Sequence, residues 1–179
     1  MPQIRIAFAT FGALLAAAAA GAAAEPLASV DCEARDNGRP ASAKLVLWSA
    51  GETVAQGRCG SPLKVPPGRY RMGVQLDTAL DAPTWHGLLQ LEADSETLRR
   101  AEFETGVLEV RIVRGGRPVA GRARVERRGR PVGEIAAGVA RRLSAGSYAV
   151  TAVDNSGAEI PFGAVHVAPR ERRVLVAEP

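Results

Sequence analysis

The chain contains one pattern twice: LKVPPGRYRMGV at residues 63–74 and RRLSAGSYAVTA at residues 141–152. In each copy an apolar residue leads into a short turn that closes on a glycine, and a tyrosine follows two positions later. Glycine takes a positive φ at a turn without steric cost. The alternating residues after the tyrosine are typical of a strand with one buried face. The pattern therefore predicts a turn and a strand, with Tyr70 and Tyr148 pointing into a core.

The repeat extends well beyond this pattern. Tyr70 and Tyr148 are 78 positions apart, and the same offset aligns the chain from about residue 30 to residue 72. The offset then becomes 76, where HGLL at residues 86–89 meets FGAV at residues 162–165. A register shared over so long a stretch indicates an internal duplication. The apolar residues that it pairs are Val30 with Leu108, Leu45 with Ala123, Leu47 with Val125, and Val65 with Leu143.

Residues 1–24 predict a secretory signal peptide. Arg5 gives a short positive start, residues 6–20 are apolar and rich in alanine, and residues 22–24 are small residues that suit cleavage before Glu25. The alternative is an uncleaved N-terminal anchor. No later segment is apolar enough to span a bilayer. The repeat divides the remaining chain into module 1 (residues 25–104) and module 2 (residues 105–179), and we expect both in the periplasm or outside the cell.

Cys32 and Cys59 are the only two cysteines. Export to an oxidising compartment favours a disulfide between them. The repeat gives a second argument, because their counterparts in module 2 are the apolar residues Val110 and Ala137. If that pair faces the core of module 2, the same positions bring the two thiols together inside module 1. The alternative is two buried free thiols, and we predict the disulfide.

Short alternating segments separated by Gly, Pro and Asn turns recur along both modules. They predict seven strands in each module. The segment Glu96–Phe103 could instead begin a short helix, but its counterpart at residues 171–176 alternates like a strand, and we follow the repeat. The predicted fold is all-β, with two tandem immunoglobulin-like or prealbumin-like antiparallel sandwiches. Each tyrosine hydroxyl is expected to bond to a backbone group across its sandwich.

The turn and strand pattern resembles a known family. The segments PPGRY (residues 66–70) and SAGSY (residues 144–148), together with GRPVAGRARV (residues 116–125), are similar to bacterial extracytoplasmic repeats of the carboxypeptidase-regulatory-like, prealbumin-like type. The resemblance covers nearly all of module 2 and, more loosely, module 1. Module 1 departs from it in a loop at residues 77–84 that looks like an insertion. The resemblance implies an immunoglobulin-like sandwich that serves as an adhesive, spacer or accessory module.

The charge of the chain is divided between the modules. The formal net charge of +4 includes −3 over residues 25–104 and +6 over residues 105–179. Arginines alternate with the apolar Ala123 and Val125, so they are predicted to face solvent. Such a face suits an envelope protein, an anionic glycan or lipopolysaccharide, because arginine binds carboxylates and phosphates bidentately. The alternative is a solvated face. The candidate residues are Arg122, Arg124, Arg127, Arg128 and Arg130.

Trp48 and Trp85 are candidates for a sugar-stacking platform or for an interface between modules. Trp48 follows Leu47, which is predicted to face the core, and it aligns with the charged Glu126 of module 2. Because neighbouring residues of a strand point to opposite faces, Trp48 is predicted to point outward. We favour the interface as its role.

The sequence offers little for catalysis or metal binding. The two histidines, His86 and His166, are not equivalent in the repeat, and no nucleophile motif, paired-cysteine motif or phosphate loop surrounds them. His166 is expected to face solvent. The acids between residues 77 and 96 match no calcium-loop spacing. We predict no catalytic residue, no metal and no cofactor.

The predicted function is that of a secreted or periplasmic, non-catalytic binding or spacer protein of the cell envelope. The alternative is an accessory module that binds a glycan or another anionic polymer through the tryptophans and the arginines. Nucleic acid is not expected as a partner, because the chain is exported and lacks a recognisable nucleic-acid-binding motif. The ligand, the oligomeric state and the angle between modules are left open by the sequence.

Overall fold

The computed structural model describes residues 26–178, so the predicted signal peptide lies outside the described residues. Within this range the chain forms sixteen β-strands, and none of it forms a helix long and apolar enough to cross a membrane. Module 1 contains β1 (Ala28–Asp36), β2 (Arg39–Pro40), β3 (Ala43–Ser49), β4 (Glu52–Arg58), β5 (Leu63–Val65), β6 (Gly68–Leu76), β7 (Thr84–Leu91) and β8 (Glu96–Phe103). Module 2 contains β9 (Thr105–Arg114), β10 (Arg117–Pro118), β11 (Gly121–Arg127), β12 (Arg130–Ala136), β13 (Ala140–Ser144), β14 (Gly146–Asp154), β15 (Glu159–Val167) and β16 (Arg172–Ala177).

Each module is a sandwich of two four-stranded sheets. In module 1 the first sheet has β1 at its centre, with β8 along one edge and with β5 and β2 along the other. The second sheet has the order β4-β3-β6-β7. Module 2 repeats both sheets, with β9 at the centre of the first and the order β12-β11-β14-β15 in the second. The predicted all-β fold of two tandem sandwiches is confirmed.

The strand pairing confirms both offsets of the repeat. Leu45 pairs with Val74 between β3 and β6, and Ala123 pairs with Ala152 between β11 and β14, as the offset of 78 requires. The offset of 76 governs β7 and β15, because Gly68 lies opposite Leu91 and Gly146 lies opposite Val167. The segment Glu96–Phe103 is a strand, as its counterpart in module 2 predicted.

Each sandwich contains one parallel pair of strands, whereas the sequence predicts antiparallel sandwiches. In each module the last strand runs parallel to the first, with β8 beside β1 and β16 beside β9. The chain crosses from one sheet to the other between β7 and β8, so no hairpin imposes an antiparallel direction on the closing strand. Alternation along a strand is the same for both directions, so the hydrophobic pattern could not reveal this pair.

The two tyrosines lie in their cores and bond to backbone, but not across the sandwich as expected. The Tyr70 hydroxyl donates to the carbonyl oxygen of Pro66 at 2.7 Å, and the Tyr148 hydroxyl donates to that of Ser144 at 2.8 Å. Each acceptor lies four residues upstream, in the turn that the repeated glycine closes. This local bond fixes the turn against the core, which is the arrangement known as a tyrosine corner.

Cys32 and Cys59 form the predicted disulfide, with their Cα atoms 4.6 Å apart. Cys32 lies on β1 and Cys59 directly follows β4, so the bond joins the two sheets of module 1. The amide of Gly60 donates to the carbonyl of Cys32 at 3.1 Å. Module 2 has the equivalent bond between Gly138 and Val110 at 2.8 Å, without a disulfide. The backbone geometry at this point is therefore a property of the fold.

Candidate functional site

The two modules meet at a junction with almost no linker, because only Glu104 separates β8 from β9. Asp36, at the end of β1, is buried there. Its carboxylate accepts a hydrogen bond of 2.8 Å from the Thr105 hydroxyl and forms an ion pair with Arg142. The side-chain amide of Asn37 donates to the carbonyl of Thr105 at 2.9 Å. Module 1 therefore binds module 2 through a buried charge at the start of β9.

A second contact comes from the loop between β6 and β7. The carboxylate of Asp81 lies against module 2 with only 6% of the side chain exposed. It accepts hydrogen bonds from the Tyr148 hydroxyl at 2.8 Å, the amide of Ser144 at 3.0 Å and the Arg127 guanidinium at 3.1 Å. Beside Asp81, the amide of Leu80 donates to the carbonyl of Arg142 at 2.8 Å. A loop of module 1 thus binds both residues of the tyrosine corner of module 2, Tyr148 and Ser144.

The environment of Tyr148 is correspondingly perturbed. Burial, followed by the hydrogen bond and the negative charge of Asp81, raises the pKa of the Tyr148 phenol well above its ordinary value. The Arg127 guanidinium lies 5.3 Å from the centre of the tyrosine ring and opposes that rise. The phenol therefore stays protonated and keeps donating to the Asp81 carboxylate.

The sequence singled out this loop as an insertion, and the strand boundaries agree: seven residues connect β6 to β7, whereas four connect β14 to β15. From the sequence, its two aspartates are only candidate oxygen ligands. In the structure they bind different modules: Asp77 pairs with Arg58 inside module 1 at 3.1 Å, whereas Asp81 binds module 2. No cluster of three or more His, Cys, Asp or Glu side chains that could hold a metal occurs among residues 26–178.

The structure divides the five candidate arginines of module 2. Arg122 and Arg124 lie on the outer face of β11, where they pair with Glu134 at 3.0 Å and Glu159 at 2.8 Å. Arg127 lies on the same side of the strand as Ala123 and Val125, and it turns into the contact with Asp81. The two remaining residues, Arg128 and Arg130, are exposed at the hairpin between β11 and β12. The five residues do not form one continuous face.

The two tryptophans lie on opposite faces of the second sheet of module 1. Trp85 points inward and packs against the core. Trp48 points outward, as predicted, but the contacts that the structure gives it are within module 1. Its ring lies over Gly73, so close that a Cβ at that position would be 2.6 Å from the indole, and its centre is 6.4 Å from that of the His86 ring. The interface role favoured from the sequence stays a prediction, and the two neighbours found here, Gly73 and His86, both belong to module 1.

Trp48 forms one wall of an open groove on the outer face of this sheet. The groove has a volume of about 930 Å³. Arg71, whose side chain is exposed, lies opposite Trp48 in the sheet, and Leu88, which is 83% exposed, lines the groove on the far side of Arg71. We call this feature the Trp48 groove and define it by six side chains: Trp48, Arg69, Arg71, His86, Leu88 and Gln90. Sequence reasoning found Trp48 but missed the others, because only the pairing of β3, β6 and β7 brings them together.

The histidines occupy different surroundings. His86 is exposed in the Trp48 groove. His166 is exposed on β15, as predicted, and its Nδ1 lies 3.4 Å from the hydroxyl oxygen of Ser147. Neither imidazole hydrogen-bonds to a carboxylate among residues 26–178. Serine-type hydrolases need a nucleophile beside a histidine base, and an acid that hydrogen-bonds to that histidine. Residues 26–178 do not form such a triad.

Fold and site together define a class: an all-β protein of two duplicated β-sandwiches, each with a tyrosine corner, joined by a single residue. No family model matches the chain, and no curated protein matches it.

Three solved structures align with most of the chain at low identity. A candidate adhesin from Bacteroides ovatus is 8% identical, with 84% of this chain and 87% of that chain covered and a TM-score of 0.45. The shaft pilin SpaA from Lactobacillus rhamnosus GG is 10% identical, with 86% and 97% covered and a TM-score of 0.37. The Bacillus anthracis TIE protein is 11% identical with a TM-score of 0.39, and this chain spans 34% of its length.

Proposed function

We propose that the protein is an exported, non-catalytic binding and spacer protein of the cell envelope, whose modules at residues 25–104 and 105–179 are held at a fixed angle. The observation that carries the proposal is the junction. Asp36 and Asp81, two buried carboxylates of module 1, bond to module 2, and a single residue connects the modules. Modules that move freely are usually joined by flexible, polar linkers with few contacts across them. A spacer that holds its two modules at a fixed angle instead needs a short connection with contacts across it.

Two further observations support the non-catalytic and exported parts of the proposal. Among residues 26–178, no carboxylate hydrogen-bonds to His86 or His166, as the general base of a serine-type hydrolase would require. The Cys32–Cys59 disulfide is typical of an oxidising compartment, which agrees with the predicted signal peptide. The resemblance to carboxypeptidase-regulatory-like repeats implies the same kind of role, because such sandwiches act as spacers and accessory modules.

Small-angle X-ray scattering of the mature chain tests the fixed angle. One orientation of the modules should account for the wild-type profile. The double variant Asp36→Ala with Asp81→Ala should need a wider range of orientations and show a larger radius of gyration. Asp77→Ala is the matched control, because Asp77 lies in the same loop but pairs with Arg58 inside module 1. A wild-type profile that itself requires many orientations would refute the proposal.

A second candidate function is the binding of an anionic glycan or polymer. The arginines of module 2 give it little support, because Arg122 and Arg124 are neutralised by Glu134 and Glu159. The observation that favours it is the Trp48 groove, where an outward-facing indole lies beside an exposed arginine.

A further inference from the structure

We propose that the Trp48 groove is a binding site for an acidic oligosaccharide, in which the indole stacks on a sugar ring and Arg71 binds a carboxylate. The inference rests on the proposed function and deepens it, since it names the ligand class that the binding protein would take. Four observations carry it: the groove residues are absent from the duplicate module, Gly73 makes room for the indole, the groove has no acidic lining, and its floor is built from side chains.

The duplicate shows that the sandwich does not need the groove residues. Offsets of 78 and 76 place Glu126 at the position of Trp48, Ala149 at that of Arg71 and Phe162 at that of His86. Module 2 folds into the same two sheets with these residues. Strand pairing and core packing therefore do not explain the outward indole and its neighbours in module 1.

Gly73 shows that the surroundings of Trp48 are adapted to it. The equivalent residue in module 2 is Thr151, and β-branched residues are favoured in strands. In module 1 a Cβ at residue 73 would lie 2.6 Å from the Trp48 ring, and such a contact cannot exist without movement. Glycine inside a strand often marks close approach by another group. Here that group is the indole, whose six-membered ring comes closest to Gly73.

The charge of the groove selects an acidic ligand. Module 1 carries a net charge of −3, yet no Asp or Glu lines the groove. Arg69 donates to the side-chain carbonyl of Gln90 at 3.0 Å, and no carboxylate lies within ion-pair distance of Arg69 or Arg71 among residues 26–178. An arginine free of acidic partners binds a carboxylate bidentately. In the equivalent sheet of module 2, Arg122 and Arg124 are instead paired with Glu134 and Glu159.

The shape of the groove favours a saccharide over an acidic peptide. Its floor consists of side chains on the face of a sheet, whereas extended peptides usually gain affinity by pairing with the edge of a sheet. Exposed aromatic faces bordered by a few polar groups are suited to ligands that have both an apolar face and polar substituents. A uronic acid ring presents C–H groups on one face and a carboxylate at its edge.

The test is a titration of the mature chain with four probes, in which tryptophan fluorescence and calorimetry measure binding. Three are tetrasaccharides of galacturonic acid, mannuronic acid and hyaluronan, and the fourth is hexaglutamate. At least one saccharide should bind with a Kd below about 1 mM, and its methyl ester should bind at least tenfold more weakly. If none of the three saccharides bound, the proposal would be overturned. If hexaglutamate bound as tightly as the best saccharide, the proposal of a saccharide ligand would be overturned in favour of an acidic peptide.

Two variants separate the site from general charge. Arg71→Gln and Gly73→Thr should each weaken binding at least tenfold, the second by moving the indole while inserting the residue that module 2 tolerates. Arg99→Gln is the matched control, because Arg99 is an exposed arginine of module 1 on β8, away from the groove. Equal losses in Arg71→Gln and Arg99→Gln would also overturn the proposal. Scattering reports the junction independently, so failure of the groove and failure of the spacer role are distinguishable.

Discussion

Replacement of Asp81 by alanine should destabilise the protein far more than an exposed loop residue normally does. The carboxylate belongs to module 1, but its three donors all belong to module 2: the Tyr148 hydroxyl, the Ser144 amide and the Arg127 guanidinium. The substitution therefore tests whether the inserted loop joins the two sandwiches into one cooperative unit.

The magnitude follows from what each donor loses. The Ser144 residue is buried, and a buried amide left without an acceptor costs about 1–3 kcal/mol. The Tyr148 hydroxyl keeps its bond to the carbonyl of Ser144, so it adds little. The Arg127 side chain is 36% exposed, and ion pairs screened to this extent contribute about 0–1 kcal/mol. Asp81→Ala should thus cost about 1–4 kcal/mol, and Asp81→Asn, which retains one acceptor oxygen, about 1 kcal/mol.

Urea denaturation followed by two signals measures this cost. Both tryptophans lie in module 1, so their fluorescence reports that module, whereas far-ultraviolet circular dichroism reports both. In the wild type the two transitions should coincide, and in Asp81→Ala they should move to lower urea and separate. Asp77→Ala should lose less than about 1 kcal/mol, because its partly exposed pair with Arg58 is internal to module 1. If Asp81→Ala and Asp77→Ala lost the same stability, the reasoning about the junction would be wrong.

Two further predictions concern the modules separately. Removal of the disulfide in the double variant Cys32→Ala with Cys59→Ala should destabilise module 1 by about 3–4 kcal/mol in the chain-entropy model; protein recovered from the periplasm should be two hydrogens lighter than after reduction, and two freely alkylatable thiols would contradict the bond. In module 2, hydrogen bonds first from Arg172 and then from Arg111 lower the pKa of the Glu109 carboxyl. Its contribution to the free energy of unfolding is therefore complete above the ordinary carboxyl pKa of about 4.3 and is lost as the pH falls through the lowered value. Glu109→Gln should give a shallower loss of stability below about pH 4 in thermal denaturation, and a pH profile that matches the wild type would count against the pairing.

Most of the fold could be predicted because its determinants are local and occur twice. Alternation identified the strands, and the repeat decided the ambiguous segment Glu96–Phe103. Alignment of Cys32 and Cys59 with Val110 and Ala137 supported the disulfide, since equivalent positions of a duplicated fold face the same way. The direction of the closing strands was missed because a buried face has the same period in parallel and antiparallel pairs.

The sites were harder to predict because they depend on contacts between segments distant in sequence. The insertion at residues 77–84 was visible, but no local property of Asp81 distinguishes it from Asp77 as the aspartate that reaches module 2. Alternation placed Arg122 and Arg124 correctly on the outer face of β11. It could not show that Glu134 and Glu159 neutralise them, because those partners come from the neighbouring strand β12 and from β15 beyond β14.

The disulfide and the Trp48 groove belong to the same module. Module 2 makes the same backbone bond at Val110 without a disulfide, so the fold itself does not require one. Module 1, however, has Gly73 where module 2 has Thr151, and glycine in a strand costs on the order of 1 kcal/mol. A disulfide between its two sheets contributes more than that loss. The outward indole, the glycine beneath it and the disulfide are thus best understood together, as the departures of one copy from a shared fold.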